Sequence, residues 1–380
     1  MKTFYKPLLA SAALAISMGG GLVLSNSAYA AAVSLEQADF TFASCDNGTT
    51  TSTHGVRCFD VGGANLYLIP DGEYELSEDI ALDGGAAHQG DSFSLNLNGH
   101  NLTNSSIDAP TLTLNGKSSV ISGTGAITNT ESGISVVATG DPDPSTLVIN
   151  GGTFGSVGAN NTNTTINGGT FTGSGWMMAF AADGSNVVVN GGTFSAAAAS
   201  AMYFNNGADN SLEVNGGTFT SAADFGIEFM DGVKDLKITA GTFTGGHAGL
   251  AFEIAPTTAA LSGGTYIATA NDEYTYGGII IFGADDISAL ANLLAAGSSY
   301  SDPSAERKGT DPDFWVYLTN HRVTITSGAA TEEESSAKSP NSGFITAETS
   351  AATSVAATVV AATALTAAGL GFKKSLKKAD

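Results

Sequence analysis

The sequence predicts an all-β chain wound as a solenoid of parallel coils, each about 17–25 residues long, with a small N-terminal cap and a short C-terminal helix. Three observations predict it: a five-residue motif that recurs along the middle of the chain, period-two alternation before each copy, and a second apolar patch that recurs in the other half of each unit. The motif is Asn150-Gly-Gly-Thr-Phe154, repeated at Asn167–Phe171, Asn190–Phe194 and Asn215–Phe219, then as Thr239-Ala-Gly-Thr-Phe243 and Ser262-Gly-Gly-Thr-Tyr266. From aromatic to aromatic the spacings are 17, 23, 25, 24 and 23 residues.

One position before the motif stand Ile149, Ile166, Val189, Val214, Ile238 and Leu261, and three before stand Leu147, Thr164, Val187, Leu212, Leu236 and Ala259. Between them lie Val148, Thr165, Val188, Glu213, Lys237 and Ala260, which are chemically mixed. Apolar, variable, apolar is the pattern of a strand with one face buried. Asn-Gly-Gly then supplies residues that accept positive φ, so the chain turns a corner. Thr-Phe opens the next strand, with its Phe directed into an internal aromatic stack.

The second patch reads Met178-Ala-Phe180, Met202-Tyr-Phe204, Ile227-Glu-Phe229, Leu250-Ala-Phe252 and Ile280-Ile-Phe282. Each unit therefore holds about three short strands. Equivalent residues keep their role from unit to unit, as parallel stacking requires, with like residues about 4.8 Å apart. Glu213 and Lys237 become outward neighbours of opposite sign.

Upstream, Leu95-Asn-Leu-Asn-Gly-His-Asn-Leu102, Leu112-Thr-Leu-Asn-Gly116 and Ile121-Ser-Gly-Thr-Gly-Ala-Ile127 repeat the strand–turn phrasing. From Tyr74 to Ile325 the chain resembles the right-handed parallel β-helix proteins of the pectate-lyase-like superfamily. That resemblance implies a right-handed helix of coils and says little about chemistry.

Exposed end coils need covers. Residues 31–75 are expected to form the N-terminal cap, closed by a disulfide between Cys45 and Cys58, the only cysteines. The coils then occupy 76–326. Asp286 to Ala296 carries an acidic start, apolar spacing of three to four and Gly297 at its end, which predicts one short amphipathic helix. Phe314–Leu318 and Arg322–Thr326 read as closing strands.

Both termini read as addresses. Lys2 and Lys6, an apolar run from Leu8 to Leu24 and Ala28-Tyr-Ala30 form a signal-peptide pattern over residues 1–30. Residues 327–343 are a Glu-, Ser- and Ala-rich spacer, 344–372 hold an uncharged run long enough to span a bilayer, and 373–380 carry Lys373, Lys374, Lys377 and Lys378. With Ser339-Pro340-Asn341-Ser342-Gly343 before the span, the order resembles sortase-processed wall proteins. The resemblance implies cleavage between Ser342 and Gly343 and transfer to peptidoglycan by a sortase, although Ser339 and Ser342 stand where Leu and Thr are usual. A plain membrane anchor is the other reading, and both leave the body outside the cell.

Between Ala31 and Ser342 there are 34 acidic and 8 basic residues. That balance argues against nucleic acid and anionic membrane surfaces as partners; contact with membrane is expected only through the C-terminal span. Superfamily lyases hold Ca²⁺ with clustered carboxylates beside a basic residue, and the hydrolases use several Asp with Gly-His-Gly and Arg-x-Lys. This chain has Gly246-His247-Ala248 and no Arg-x-Lys, and between Lys117 and Arg307 its only basic residues are Lys234 and Lys237. No catalytic set and no metal site are expected; His88, His100, His247 and His321 lack metal spacing and read as structural.

One binding constellation emerges on the face of the second patch: Trp176, Tyr203, Asn205, Glu228, Asp231 and Glu253 on neighbouring coils. Aromatic faces stack on sugar rings, and carboxylates suit sugar hydroxyls or Ca²⁺. The expected function is a non-catalytic surface protein, an adhesin or display stalk that binds glycans or another cell surface. A surface polysaccharide lyase or glycoside hydrolase is the alternative, and a structural coat without specific ligand the third reading.

Overall fold

Each repeat folds into three short strands, and like strands of successive repeats stack into three parallel sheets. The computed structural model describes residues 31–327, apart from 46, 62, 108, 132, 141–142, 181–183, 206–208, 271–275 and 311–312 and the side chains of 310 and 313. The signal-peptide pattern, the sorting motif, the apolar span and the basic tail lie outside the described residues. Among the described residues, no helix is long and apolar enough to cross a membrane.

The first sheet has ten strands and carries the alternating segments, from Val33–Leu35 to Thr258–Leu261. The second, of eleven strands, carries the Thr-Phe segments such as Thr193–Ala196 and Thr218–Ser221. The third, of thirteen, carries the second apolar patch, including Met202–Phe204, Phe225–Phe229 and Ala248–Phe252. Pairing is parallel through the stacked coils and turns antiparallel at the ends.

The register follows the repeat. Val189 lies beside Val214, and Phe194 beside Phe219. Glu213 faces Lys237 and their side chains meet at 2.8 Å, as the alternation requires. Both groups are exposed, so the pair marks register and adds little stability.

Inside, Phe154, Phe171, Phe194, Phe219, Phe243 and Tyr266 form one continuous stack, with centroids 4.5 to 5.1 Å apart. A second column joins Phe180, Phe204, Phe229 and Phe252 at 4.7 to 5.0 Å. Strand spacing sets these distances, because each ring stands on the same register position as the ring beneath.

At the corner, only the second glycine of each motif takes positive φ, for example 105° at Gly217. The first position needs no such freedom, which is why Ala240 stands there in one copy. The motif asparagines have another role: Asn167 donates to Asn150, Asn190 to Asn167 and Asn215 to Asn190, at 2.8 to 3.1 Å. They form an amide ladder up the outside of the corner.

The ends depart from the plainest reading. Val33–Leu35 pairs in parallel with Tyr74–Leu76, so residues 31–75 already contribute to the sheets. Within that segment Arg57–Val61 pairs antiparallel with Ala64–Ile69, and the Cys45–Cys58 disulfide ties the preceding loop to this hairpin. Buried Asp39 accepts from the Glu36 amide and meets His54 Nδ1 at 2.8 Å. Burial opposes its ionisation, but the bonds from His54 and Ser52 hold its carboxyl below the ordinary value.

The expected helix over 286–296 shrinks to a single turn, Ser288–Ala291. The Leu261 amide donates to Leu293, and Ala295 donates back to Leu261, so the segment is drawn into the edge of the first sheet before a second turn can form. Closure follows through Asp313–Leu318 and Arg322–Ser327, which pair antiparallel with the last coil.

One register also differs from the sequence alignment. Ile281, not Phe282, lies beside Phe252. The run Ile279–Phe282 is apolar throughout, so no alternation specifies which residues face inward. Phe282 therefore joins an outer aromatic cluster with Tyr276 and Trp315.

Near the N-terminal end His88 is fully buried, stacks on Phe93 at 5.1 Å and meets Asp71 at 3.0 Å. Burial pushes its imidazole below the ordinary 6.5, against the pull of Asp71. The unfolded chain therefore takes up a proton that the folded chain refuses, and stability falls as pH drops from 6.5 toward the folded value. The expected result is a melting midpoint that declines from about pH 7 to about pH 5.5, with a shallower decline in His88→Phe. Parallel slopes in the two chains would remove His88 as the cause.

Candidate functional site

On the third sheet, residues between the inward Met, Ile and Phe positions must point away from the core. Register aligns these outer residues as Ala179, Tyr203, Glu228, Ala251, Ile280 and, on the closing strand, Tyr317. Small side chains at Ala179 and Ala251 flank the pair Tyr203 and Glu228.

Trp176 precedes strand Met178–Phe180, and the Ser156 hydroxyl donates to its carbonyl at 2.6 Å. Its indole lies flat on Tyr203, with centroids 4.4 Å apart and planes 14° from parallel. Trp176 is 40% exposed and Tyr203 8% exposed, so the indole forms the accessible face of the pair.

Glu228 is 7% exposed although it points away from the core. It is covered by its neighbours. Buried Ser200 places its hydroxyl 2.6 Å from Glu228 Oε2 and 3.0 Å from Asp224 Oδ2. One hydroxyl thus sits between two carboxylates.

The Tyr203 phenol is pushed up to about 12, first by burial and then by the negative charges of Glu228, Asp231, Glu253 and Asp224. It remains a protonated donor throughout the physiological range. That shift places all four carboxylates within electrostatic reach of one ring. Asn205 and Glu253 occupy equivalent positions just beyond their strands, their amides donating to Phe180 and Phe229 of the preceding coils.

Of the six residues expected from sequence, Trp176, Tyr203 and Glu228 come together directly, Asp231 and Glu253 surround them by charge, and Asn205 stands at the adjoining strand end. Sequence reasoning missed Ser200 and Asp224. A signal was available: Ser200 lies three residues before Tyr203 and Asp224 four before Glu228, on the approach to the same strand in successive coils. Towards the C-terminal end the row is bounded by an apolar cluster of Phe225, Ala248, Ala251 and Ile280 with Tyr276, Phe282, Trp315 and Tyr317.

Elsewhere, Glu36, Asp39 and His54 bring three ligand-type atoms within 4.8 Å of one another. Their mutual bonds tie the loop of the disulfide to the first turn of the chain. Comparison of the chain with family models, with curated proteins and with solved structures returns no match.

Proposed function

We propose that the chain is a non-catalytic cell-surface protein that binds glycans along the outer row of its third sheet. The observation that carries this reading is the Trp176–Tyr203 stack beside Glu228 and Asp224. The exposed indole offers a flat apolar face to a sugar ring, and the carboxylates offer acceptors to its hydroxyls, directly or through Ca²⁺. The pectate-lyase-like resemblance and the sortase-type C-terminus support export and display of a solenoid outside the cell, joined to peptidoglycan through Ser342.

The test is binding of the full chain to a glycan array with and without chelator. Trp176→Ala and Glu228→Gln are each expected to weaken binding about tenfold, equivalent to about 1.4 kcal/mol. Unchanged affinity in both variants would sink the glycan site. Peptides from wall digests should end at Ser342; an intact C-terminus there would leave membrane anchoring instead.

One observation favours a second reading. Two carboxylates held to a single hydroxyl resemble the close pair of a retaining glycosidase, whose groups lie about 5–5.5 Å apart. New reducing ends from a bound polysaccharide, lost in Glu228→Gln while binding persists, would establish hydrolysis. Unsaturated ends would indicate a lyase.

A further inference from the structure

The outward face of the second sheet is chemically uniform in a way the other two are not. Register aligns Thr153, Thr170, Thr193, Thr218, Thr242, Thr265 and Thr324 in one row. A second row, two residues along, holds Thr172, Ser195, Thr220 and Thr244. The two rows make a grid of hydroxyls, repeating about 4.8 Å between coils and about 6.6 Å along a strand.

Strand propensity does not explain the threonines. The corresponding outward row of the first sheet reads Val148, Thr165, Val188, Glu213, Lys237 and Ala260. Strands of the same solenoid therefore accept apolar, acidic and basic residues at such positions. Internal hydrogen bonding does not explain them either. Other hydroxyls are tied to carbonyls of neighbouring segments, as Thr103 is to Ile80 and Thr111 to Thr128. Among the described residues, no hydroxyl from Thr153 through Thr242 in the first row, nor any in the second, bonds to the protein.

Beneath the rows the rings of Phe171, Phe194, Phe219 and Phe243 lie within 6°, 1° and 6° of parallel from coil to coil, so the strands that carry the hydroxyls repeat in register. From Thr153 to Thr265 and from Thr172 to Thr244 neither row carries a charge, in a chain of net charge −22; on the closing side the second row passes through Ile267 to Arg322, which bounds the grid.

We propose that this face binds ice. Its ligand is the water lattice itself, whose oxygen rows repeat on this scale in two directions across a crystal face. Each threonine presents a hydroxyl that both donates and accepts, beside a methyl that excludes liquid water, and the grid holds bound waters in crystalline order. A charged surface would instead orient water around each ion. A polysaccharide is the weaker fit, because every aromatic ring on the stacked parallel strands of this sheet lies inside, leaving none among the hydroxyl rows to stack on a sugar.

The full chain should partition into slowly grown polycrystalline ice and produce faceted crystals in a thermal-hysteresis assay. Thr193→Lys/Thr218→Lys is expected to lose both effects, down to the level of a protein that ice excludes. Val188→Lys on the first sheet should retain them. Lys237 already occupies an outward strand position, so lysine is compatible with the coil, and circular dichroism checks the fold of each variant. Thr193→Glu/Thr218→Glu repeats the test should the lysine pair fail to fold. Exclusion of the unmodified chain from ice, persistence of ice binding in the folded double variant, or binding of this face to crystalline cellulose or chitin in place of ice would each overturn the proposal. Because the glycan row lies on another sheet, Trp176→Ala leaves ice binding intact, and the two readings stand or fall separately.

Discussion

Replacing Phe219 by Ala is expected to cost about 3–5 kcal/mol, the range for a fully buried aromatic. The ring is 0% exposed and stacked on both sides, 4.8 Å from Phe194 and 5.0 Å from Phe243. Each stacked neighbour adds about 0.5–1.5 kcal/mol beyond burial. The cavity cannot close easily, because strands above and below are pinned by their own ladders to the positions of Phe194 and Phe243. Phe154 is equally buried but begins the stack, with Phe171 as its stacked partner. Phe154→Ala should therefore cost less. Since a solenoid coil contacts chiefly its neighbours, Phe219→Ala should also split the urea transition into two steps. Equal losses at both positions, with a single transition retained, would show that the stack adds nothing beyond burial.

A larger effect is expected at Gly226. An added Cβ would lie 2.5 Å from the Gly249 carbonyl oxygen and 3.1 Å from the Thr244 amide nitrogen. At Gly249, the equivalent position of the next coil, it would lie 2.5 Å from the Phe243 oxygen and 2.8 Å from the Ile267 nitrogen. These obstacles are backbone, where the second and third sheets draw together, and rotamers cannot relieve them. Gly226→Val should prevent closure of the coil and send the expressed chain to the insoluble fraction. Gly168→Ala, whose Cβ would meet nothing nearer than 3.6 Å, should cost less than about 1 kcal/mol. Soluble Gly226→Val with an unchanged melting midpoint would refute the close approach.

This glycine row was not recognised in sequence, and the reason is physical. The corner glycines announce themselves because Asn, Gly, Thr and Phe surround them in every copy. Gly226, Gly249 and Gly278 stand among Phe225, Ala248 and Gly277, with no shared context. What they share is the far wall of the coil, which belongs to residues distant in sequence. The helix over 286–296 failed for a related cause: its local pattern was sound, but the open edge at Leu261 supplied competing hydrogen-bond partners. The candidate site divides in the same way. Tyr203 and Glu228 were legible because they occupy one slot of the repeat, whereas Ser200 and Asp224 lie in segments that differ from coil to coil.

The sequence by itself determined the solenoid, its three strands per coil, the aromatic column and the Glu213–Lys237 pairing. Parallel stacking converts a period along the chain into contact between like residues, so every repeated position states its own neighbour. Only the tertiary structure decided that Tyr203 and Glu228 are roofed by Trp176, Ser200 and Asp224, that Gly226 lies against the opposite backbone, and that the threonine hydroxyls form an unbonded grid. Those facts depend on loop paths, on the distance between sheets and on which hydroxyls meet a partner across coils, and none of the three has a period for a sequence to display.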